Sequence, residues 1–274
     1  MYGWLADAIG DGAQVVTGNR RLATVLAEHY GQSQVAAGIT AWRSPPVNAW
    51  PDWLRATAAL AGVSRRVPAR INSHQSRVLW EHCLKQEITS PLLNIGSVVR
   101  QARDAWALLH DYRVPLAEAE RAASGRDQGI FARAARRFQV RLEQEDWVDG
   151  AGLPELVAGM ILDGEVDAPP RLVLAGFDRQ TPSLVRVCDA LRERGCQVDL
   201  LAPQRREGAR SMACFEDPDA EMRAAGAWAR DILRDDPGRT VAIVAMHLES
   251  DARRAARLVR EGLAPGWQRG GRAW

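Results

Sequence analysis

Ala13-Gln-Val-Val-Thr-Gly-Asn-Arg-Arg-Leu-Ala-Thr-Val-Leu-Ala-Glu-His-Tyr30 is the stretch that decides the fold of this 274-residue chain. A short apolar run, Val15-Val16, ends at the polar turn Thr17-Gly18-Asn19, and apolar residues then recur at spacings of three and four. This change of period predicts a strand, a tight turn and a helix, which together form the first half of a βαβ unit.

The predicted start of this helix is a candidate anion site. Thr17 and Asn19 can each cap a helix, and the first turn carries free backbone N–H groups. Arg20 and Arg21 follow at the end where the helix dipole disfavours cations, so they favour an anionic ligand there. The alternative is that both arginines are solvated surface charges. No segment fits G-x-x-x-x-G-K-[ST], so the sequence predicts no nucleotide-binding loop and no bound cofactor.

The composition is that of an ordinary globular protein. Charged residues make up 26% of the chain and the formal net charge is +2, so overall charge does not indicate a nucleic-acid-binding protein. Lys85 is the only lysine, an arginine bias that suits phosphate contacts but that a GC-rich genome also produces. The four scattered cysteines predict reduced, mostly structural thiols. The lack of a signal peptide or an apolar run of eighteen residues predicts a cytoplasmic protein without a membrane segment.

The order of the predicted elements indicates an α/β fold with a helical insertion. No strand is evident between about Trp50 and Gly164, whereas strand and helix patterns alternate before and after that block. We therefore predict a Rossmann-like parallel sheet built from residues 1–45 and 169–274, interrupted by an all-helical insertion at 46–168. Later strands are expected at 172–175, 197–202, 211–215 and 241–246.

Candidate catalytic groups are sparse. Asp178 follows a predicted strand and could hold a metal ion, but a lone aspartate there is more economically a helix cap or a turn residue. An acidic group at the start of a later helix is better explained by the helix dipole than by a metal ion. That group comprises Glu216, Asp217, Asp219 and Glu221. The histidines and serines match no catalytic spacing, so no catalytic residue and no metal ligand is predicted.

A row of arginines marks the outward face of a helix predicted at 128–144. The row consists of Arg133, Arg136, Arg137 and Arg141, with Arg121 and Arg126 upstream. Guanidinium groups in such a row can follow a phosphate backbone, which makes it a second candidate DNA contact. The favoured alternative is a solvated helix face, because Glu143, Glu145 and Asp146 dilute its charge.

Four segments, in this order, resemble the N-terminal part of bacterial AddB/RecB-like exonucleases, a DNA repair family of the PD-(D/E)XK nuclease superfamily. The segments begin at Val15, Leu172, Asp219 and Thr240. The resemblance implies a superfamily 1 helicase-like α/β region with a helical insertion, followed by a C-terminal nuclease domain. It also implies that Thr17, Asn19, Arg20 and Arg21 contact single-stranded DNA, and that the segment 176–182 is similar to the magnesium and γ-phosphate region of active helicases.

Two departures from this family shape the functional prediction. The phosphate-binding loop is missing, and the nuclease motifs are absent, so magnesium is expected only in a nuclease domain outside this chain. We predict a truncated, non-catalytic, helicase-like portion of a DNA repair exonuclease that binds single-stranded or duplex-end DNA through Thr17, Asn19, Arg20, Arg21, Arg133, Arg136 and Arg137. The alternatives are an active ATP-dependent helicase or nuclease component, and a scaffold that docks a helicase or nuclease partner subunit.

Overall fold

The computed structural model describes residues 2–61, 67–88, 94–202, 208–246 and 248–266. The chain divides into two compact units, Met1–Gln204 and Arg205–Trp274, which are described separately. The first unit contains both of the candidate sites that the sequence indicates on arginine-bearing helices.

The first unit alternates strands and helices at both of its ends and is mainly helical in between. Its elements are α1 (Trp4–Gly10), β1 (Gln14–Thr17), α2 (Arg20–Ala36), β2 (Val47–Ala49), α3 (Trp50–Ala61), β3 (Ala69–Arg70), α4 (Ser73–Glu87), α5 (Ile95–Asp111), α6 (Leu116–Ala122), α7 (Arg126–Gln144), β4 (Trp147–Val148), α8 (Leu153–Leu162), β5 (Arg171–Ala175), α9 (Pro182–Glu193) and β6 (Gln197–Leu200).

Four of these strands form one parallel sheet in the order β2-β1-β5-β6. The register pairs Val16 of β1 with Asn48 on one side and with Leu174 on the other. Buried apolar runs such as Val15-Val16 and Leu172-Val173-Leu174 are typical of parallel strands, which are covered on both faces. The predicted mixed α/β class with a parallel sheet is confirmed.

The two faces of the sheet carry different helices. Val15 and Val173 lie in one apolar cluster with Leu26 of α2. The residues that alternate with them along the two strands, such as Val16 and Leu174, lie in another cluster with helices α3, α8 and α9. The β1-α2-β2 and β5-α9-β6 connections therefore lie on opposite faces, and the winding reverses between β1 and β5. In open α/β sheets this switch point, at the carboxyl ends of the strands, is where ligands bind.

A second apolar core lies among α4, α5, α6 and α7. Trp80 is fully buried in it and stacks on Phe138, with ring centroids 4.5 Å apart. The prediction that this region is entirely helical was wrong, because β3 and β4 form a two-stranded parallel ladder that pairs Ala69 with Trp147. Each strand is only two residues long, too short for an alternating pattern to appear in the sequence.

The sheet also draws on residues that the sequence placed in the insertion at 46–168. Strand β2 is an edge strand of the sheet, and Trp53 of α3 and Val157 of α8 share a core cluster with Val16 and Leu174. These elements therefore cover the sheet. The predicted domain limits at 45 and 168 stay a prediction.

The second unit contains two packed helices, α10 (Pro218–Asp235) and α11 (Leu248–Leu263). They approach closely at two glycines, since an added Cβ on Gly226 would lie 2.1 Å from the Val259 carbonyl oxygen. The strands expected at 211–215 and 241–246 were wrong predictions, because both segments lack regular structure. A strand needs a partner to satisfy its backbone hydrogen bonds, and the described part of this unit offers none.

Helices long and apolar enough to cross a bilayer are absent from the described ranges of the chain.

Candidate functional site

The turn between β1 and α2 is held by the Thr17 side chain. Thr17 is fully buried, and its hydroxyl donates a hydrogen bond of 2.7 Å to the backbone oxygen of Asn19. A second acceptor, the Asn48 oxygen of β2, lies 3.5 Å away. A ligand at the surface cannot reach this hydroxyl, so Thr17 shapes the turn and any contribution to binding passes through the backbone that it holds.

Asn19 caps α2 and is one of the two cap candidates that the sequence offered. Its side-chain oxygen accepts a hydrogen bond of 2.9 Å from the backbone N–H of Leu22. The cap satisfies one N–H of the first turn and leaves the others directed out of the helix end. The Asn19 side chain is exposed, so it stands at the rim of the carboxyl edge of the sheet.

The two arginines of this turn have different environments. Arg20 forms a bidentate pair with Asp52 of α3, with N–O distances of 2.8 and 3.0 Å. Asp52 also pairs with Arg55. Arg21 is exposed and has no ion-pair partner within the described residues. Arg20 therefore shares the single charge of Asp52 with Arg55, and Arg21 is the arginine of this turn that has no ion pair among the described residues.

The turn after β5 packs directly against the turn after β1. The Gly18 N–H donates a hydrogen bond of 3.1 Å to the Ala175 oxygen. A Cβ built on Gly18 would lie 2.4 Å from the Gly176 oxygen, and Gly176 itself has a φ of 71°. Only glycine tolerates this approach and this backbone conformation. The Gly176 backbone therefore occupies the space beside Gly18 and fixes the two turns against each other.

The β5 turn adds exposed charges to the same edge. Asp178 and Arg179 are both exposed, and neither has an ion pair among the described residues. Thr181 caps α9, accepting from the Leu184 N–H at 3.4 Å, so of the two interpretations of Asp178 that the sequence offered, helix cap or turn residue, the structure supports the turn residue. Phe177 is half-buried, in edge-to-face contact with Trp50. The sequence missed Arg179 because it stands alone in an irregular turn.

Three arginines of the row on α7 form ion pairs with glutamates of neighbouring helices. The Nε atoms of Arg133 and Arg137 each lie 2.6 Å from Glu87 of α4, and Arg136 forms a bidentate pair with Glu120 of α6. These pairs join α7 to two neighbouring helices of the helical core. The fold does not bring the row together with Arg20 and Arg21, since α7 packs in the helical core and α2 packs on the sheet. DNA contact by the row stays a prediction.

We expect Glu87→Gln to lower the free energy of unfolding by about 1 kcal/mol at neutral pH, because charged hydrogen bonds are lost from half-exposed arginines. The Glu87 side chain is only 8% exposed. Hydrogen bonds from Arg137 and then Arg133 lower the pKa of Glu87 below its ordinary value of 4.5. A lowered pKa means that the ionised form stabilises the fold above about pH 4.5 and that this contribution is lost on acidification.

The measurement is urea denaturation of both proteins between pH 3 and pH 7. The difference between them should shrink as the pH falls below about 4.5. Glu118→Gln removes an exposed carboxylate of α6 that has no ion pair among the described residues, and should change stability by less than about 0.5 kcal/mol. Equal stability of Glu87→Gln and the wild type at pH 7 would show that these pairs do not hold α7 in place.

The remaining candidate groups are structural. Asp217 caps α10, and Asp219 pairs with Arg254 at 2.8 Å, so the helix-start interpretation of the acidic group is confirmed for these two residues. The cysteines are free thiols, as predicted. Burial raises the pKa of Cys188 to about 11, which keeps that thiol protonated and unreactive at neutral pH.

These observations define a doubly wound α/β unit with a second, helical core and a polar, arginine-bearing edge at its topological switch point. Comparisons with models of known protein families and with curated protein sequences found no match. The resemblance to AddB/RecB-like exonucleases therefore rests on the four sequence segments.

Proposed function

We propose that this chain is the non-catalytic, helicase-like DNA-binding portion of a DNA repair exonuclease, and that it binds the phosphate backbone of single-stranded DNA at the carboxyl edge of its sheet. The observation that carries the proposal is the position of Arg21. It is an exposed cation without an ion pair in the described residues, in the first turn of a helix that starts at the switch point.

The electrostatics of this edge favour a phosphate. Two helices, α2 and α9, begin there, and each presents free N–H groups and the positive end of its dipole. Arg21 and Arg179 add two exposed guanidinium groups without an ion pair among the described residues, beside one exposed carboxylate, Asp178. Arginine binds phosphate through paired N–H donors, so a phosphodiester backbone is the ligand that suits this edge.

The non-catalytic part of the proposal is supported by the sequence and by the turn geometry. The chain carries neither a phosphate-binding loop nor nuclease motifs. The turn between β1 and α2 contains only Gly18 and Asn19, and the Gly176 backbone is packed against it. Asp178 is a single exposed carboxylate, whereas metal-assisted phosphate chemistry uses several ligands around each ion.

We expect the double variant Arg21→Gln/Arg179→Gln to bind a fluorescent single-stranded oligonucleotide at least tenfold more weakly than the wild type at low salt. Removing two phosphate contacts should also reduce the slope of log affinity against log salt by about 1.4, since each contact on single strands contributes about 0.7. Fluorescence anisotropy at several salt concentrations measures both quantities.

The matched control is Arg192→Gln, which removes an exposed arginine of α9 that pairs with Asp189 within its own helix. It should leave affinity unchanged. Equal binding by the double variant and the control would refute the site at the carboxyl edge. Magnesium-dependent ATP hydrolysis or DNA cleavage by the purified chain would instead favour the active helicase or nuclease alternative.

A further inference from the structure

A cleft of about 510 Å³ lies within the first unit, between α3 and the helical core. Its volume falls in the range of about 300–1,000 Å³ that is usual for small-ligand pockets. Four arginines line it: Arg55 of α3, Arg70 of β3, and Arg100 and Arg103 of α5. They come from three elements that are distant in sequence, so only the tertiary structure brings them together.

The positive charge of this cleft is incompletely balanced. Arg55 pairs with Asp52, but Arg70, Arg100 and Arg103 have no ion pair among the described residues. Burial, followed by the positive charges of Arg20 and Arg70, lowers the pKa of Arg55. The guanidinium groups on this side of the cleft therefore repel one another, and a bound anion would relieve that repulsion.

Three carboxyl groups also line the cleft, and two of them are engaged inside the protein. Asp149 is buried and accepts hydrogen bonds of 3.1 Å from both the Trp106 indole and the Gly152 N–H. Asp111 lies 3.4 Å from the Ser183 hydroxyl. Burial raises the pKa of both carboxyls, against the lowering effect of the hydrogen bonds that they accept. Among the described residues, Asp104 is thus the one lining carboxylate without a hydrogen-bond or ion-pair partner. The lining arginines without an ion pair in that part of the chain number three.

Two tryptophans border the cleft, one half-buried and one fully buried. Trp50 lines the cleft and stacks on Trp53 at a centroid distance of 5.6 Å, which holds its ring in place. Trp80 borders the cleft but is fully buried in the helical core, and its indole N–H has no acceptor in the described part of the protein. Fixed aromatic rings beside arginines are the combination that binds the bases and phosphates of single-stranded nucleic acids.

We infer that this cleft binds one segment of a single-stranded nucleic acid, with a phosphodiester group on Arg70, Arg100 and Arg103 and a base against Trp50. The inference rests on the proposed function and extends it to a second surface. The pairs Arg20–Asp52 and Asp52–Arg55 connect the helix start at the carboxyl edge with the cleft. One strand can therefore contact both, and longer oligonucleotides should bind more tightly than short ones.

The experiment compares Arg100→Gln/Arg103→Gln with the wild type, with Arg100→Lys/Arg103→Lys and with the Arg192→Gln control. Anisotropy is measured with a dT4 and a dT15 oligonucleotide and with the mononucleotide dTMP as competitor. We expect the glutamine variant to bind dT15 at least tenfold more weakly than the wild type. Its slope of log affinity against log salt should be smaller by about 1.4. The lysine variant should recover most of that slope, because it restores the charges. Urea denaturation verifies that each variant is folded.

The outcomes separate the cleft from the carboxyl edge. Unchanged dT15 binding by a folded Arg100→Gln/Arg103→Gln variant overturns the proposal for the cleft. This holds even if Arg21→Gln/Arg179→Gln weakens binding and so supports the proposal for the carboxyl edge. Weaker binding by Arg100→Gln/Arg103→Gln, together with unchanged binding by Arg21→Gln/Arg179→Gln, supports the proposal for the cleft and refutes the proposal for the carboxyl edge. Displacement of dT15 by dTMP at an equal concentration overturns the strand as ligand, because the cleft would then be a mononucleotide site. A wild type that binds no oligonucleotide at micromolar concentration overturns both proposals.

Discussion

Replacing Phe138 with alanine is expected to lower the free energy of unfolding of the first unit by about 3–5 kcal/mol. Phe138 is fully buried at the centre of the helical core. Its ring stacks on Trp80 at 4.5 Å and meets Trp106 edge-to-face at 5.6 Å. The substitution removes this large apolar surface from the core and leaves a cavity that the two tryptophans cannot fill without moving.

Urea denaturation followed by tryptophan fluorescence measures this change, since Trp80 and Trp106 both contact the substituted ring. Val140→Ala is the matched control on the same helix, because Val140 is 39% exposed and its truncation should cost less than about 1 kcal/mol. A loss below about 1.5 kcal/mol for Phe138→Ala would mean that the helical core packs more loosely than the ring contacts indicate.

Gly18→Ala is expected to lower the free energy of unfolding by about 1–3 kcal/mol and also to weaken oligonucleotide binding. The new Cβ would lie 2.4 Å from the Gly176 oxygen, a backbone atom that can move only with its whole turn. Separating the two turns would displace Asn19 and Arg21 from the carboxyl edge. Thermal unfolding measures the first effect, and anisotropy with dT15 measures the second.

Gly159→Ala is the matched control for this substitution. Gly159 lies inside α8, and a Cβ there would meet nothing within 4 Å. Alanine is the better helix former, so this variant should gain about 0.5–1 kcal/mol and keep its affinity for DNA. If Gly18→Ala were as stable as the wild type, the turns after β1 and β5 would not be packed as closely as the structure has them.

The candidate site was only partly predictable from the sequence. Asn19 was identified as a cap because capping is a contact across three residues of one turn, which the sequence displays directly. The partner of Arg20 could not be identified, because Asp52 lies 32 residues away and reaches it only after α3 packs on the sheet. Glu87 could not be identified as the partner of Arg133 and Arg137 for the same reason, because it lies 46 and 50 residues away from them.

The cleft was not predictable at all. Arg55, Arg70 and Arg103 occur in segments whose local patterns indicate a helix, a loop and another helix, and nothing in those patterns relates one to another. Arg70 lines the cleft because it belongs to β3, a two-residue strand. The pairing of β3 with β4 is itself a contact between distant segments. Charges separated by tens of residues become neighbours only when both apolar cores have formed.

The sequence by itself determined the elements whose signals are local. The strand-turn-helix of Val15 to Tyr30 and the buried strand β5 both follow from periodicity and capping within a few residues. Tertiary structure alone decided the strand order β2-β1-β5-β6, the balance of charge on each arginine, and the irregular state of 211–215 and 241–246. The physical reason is that strand pairing and ion pairing depend on partners from elsewhere in the chain, whereas caps and helical periodicity do not.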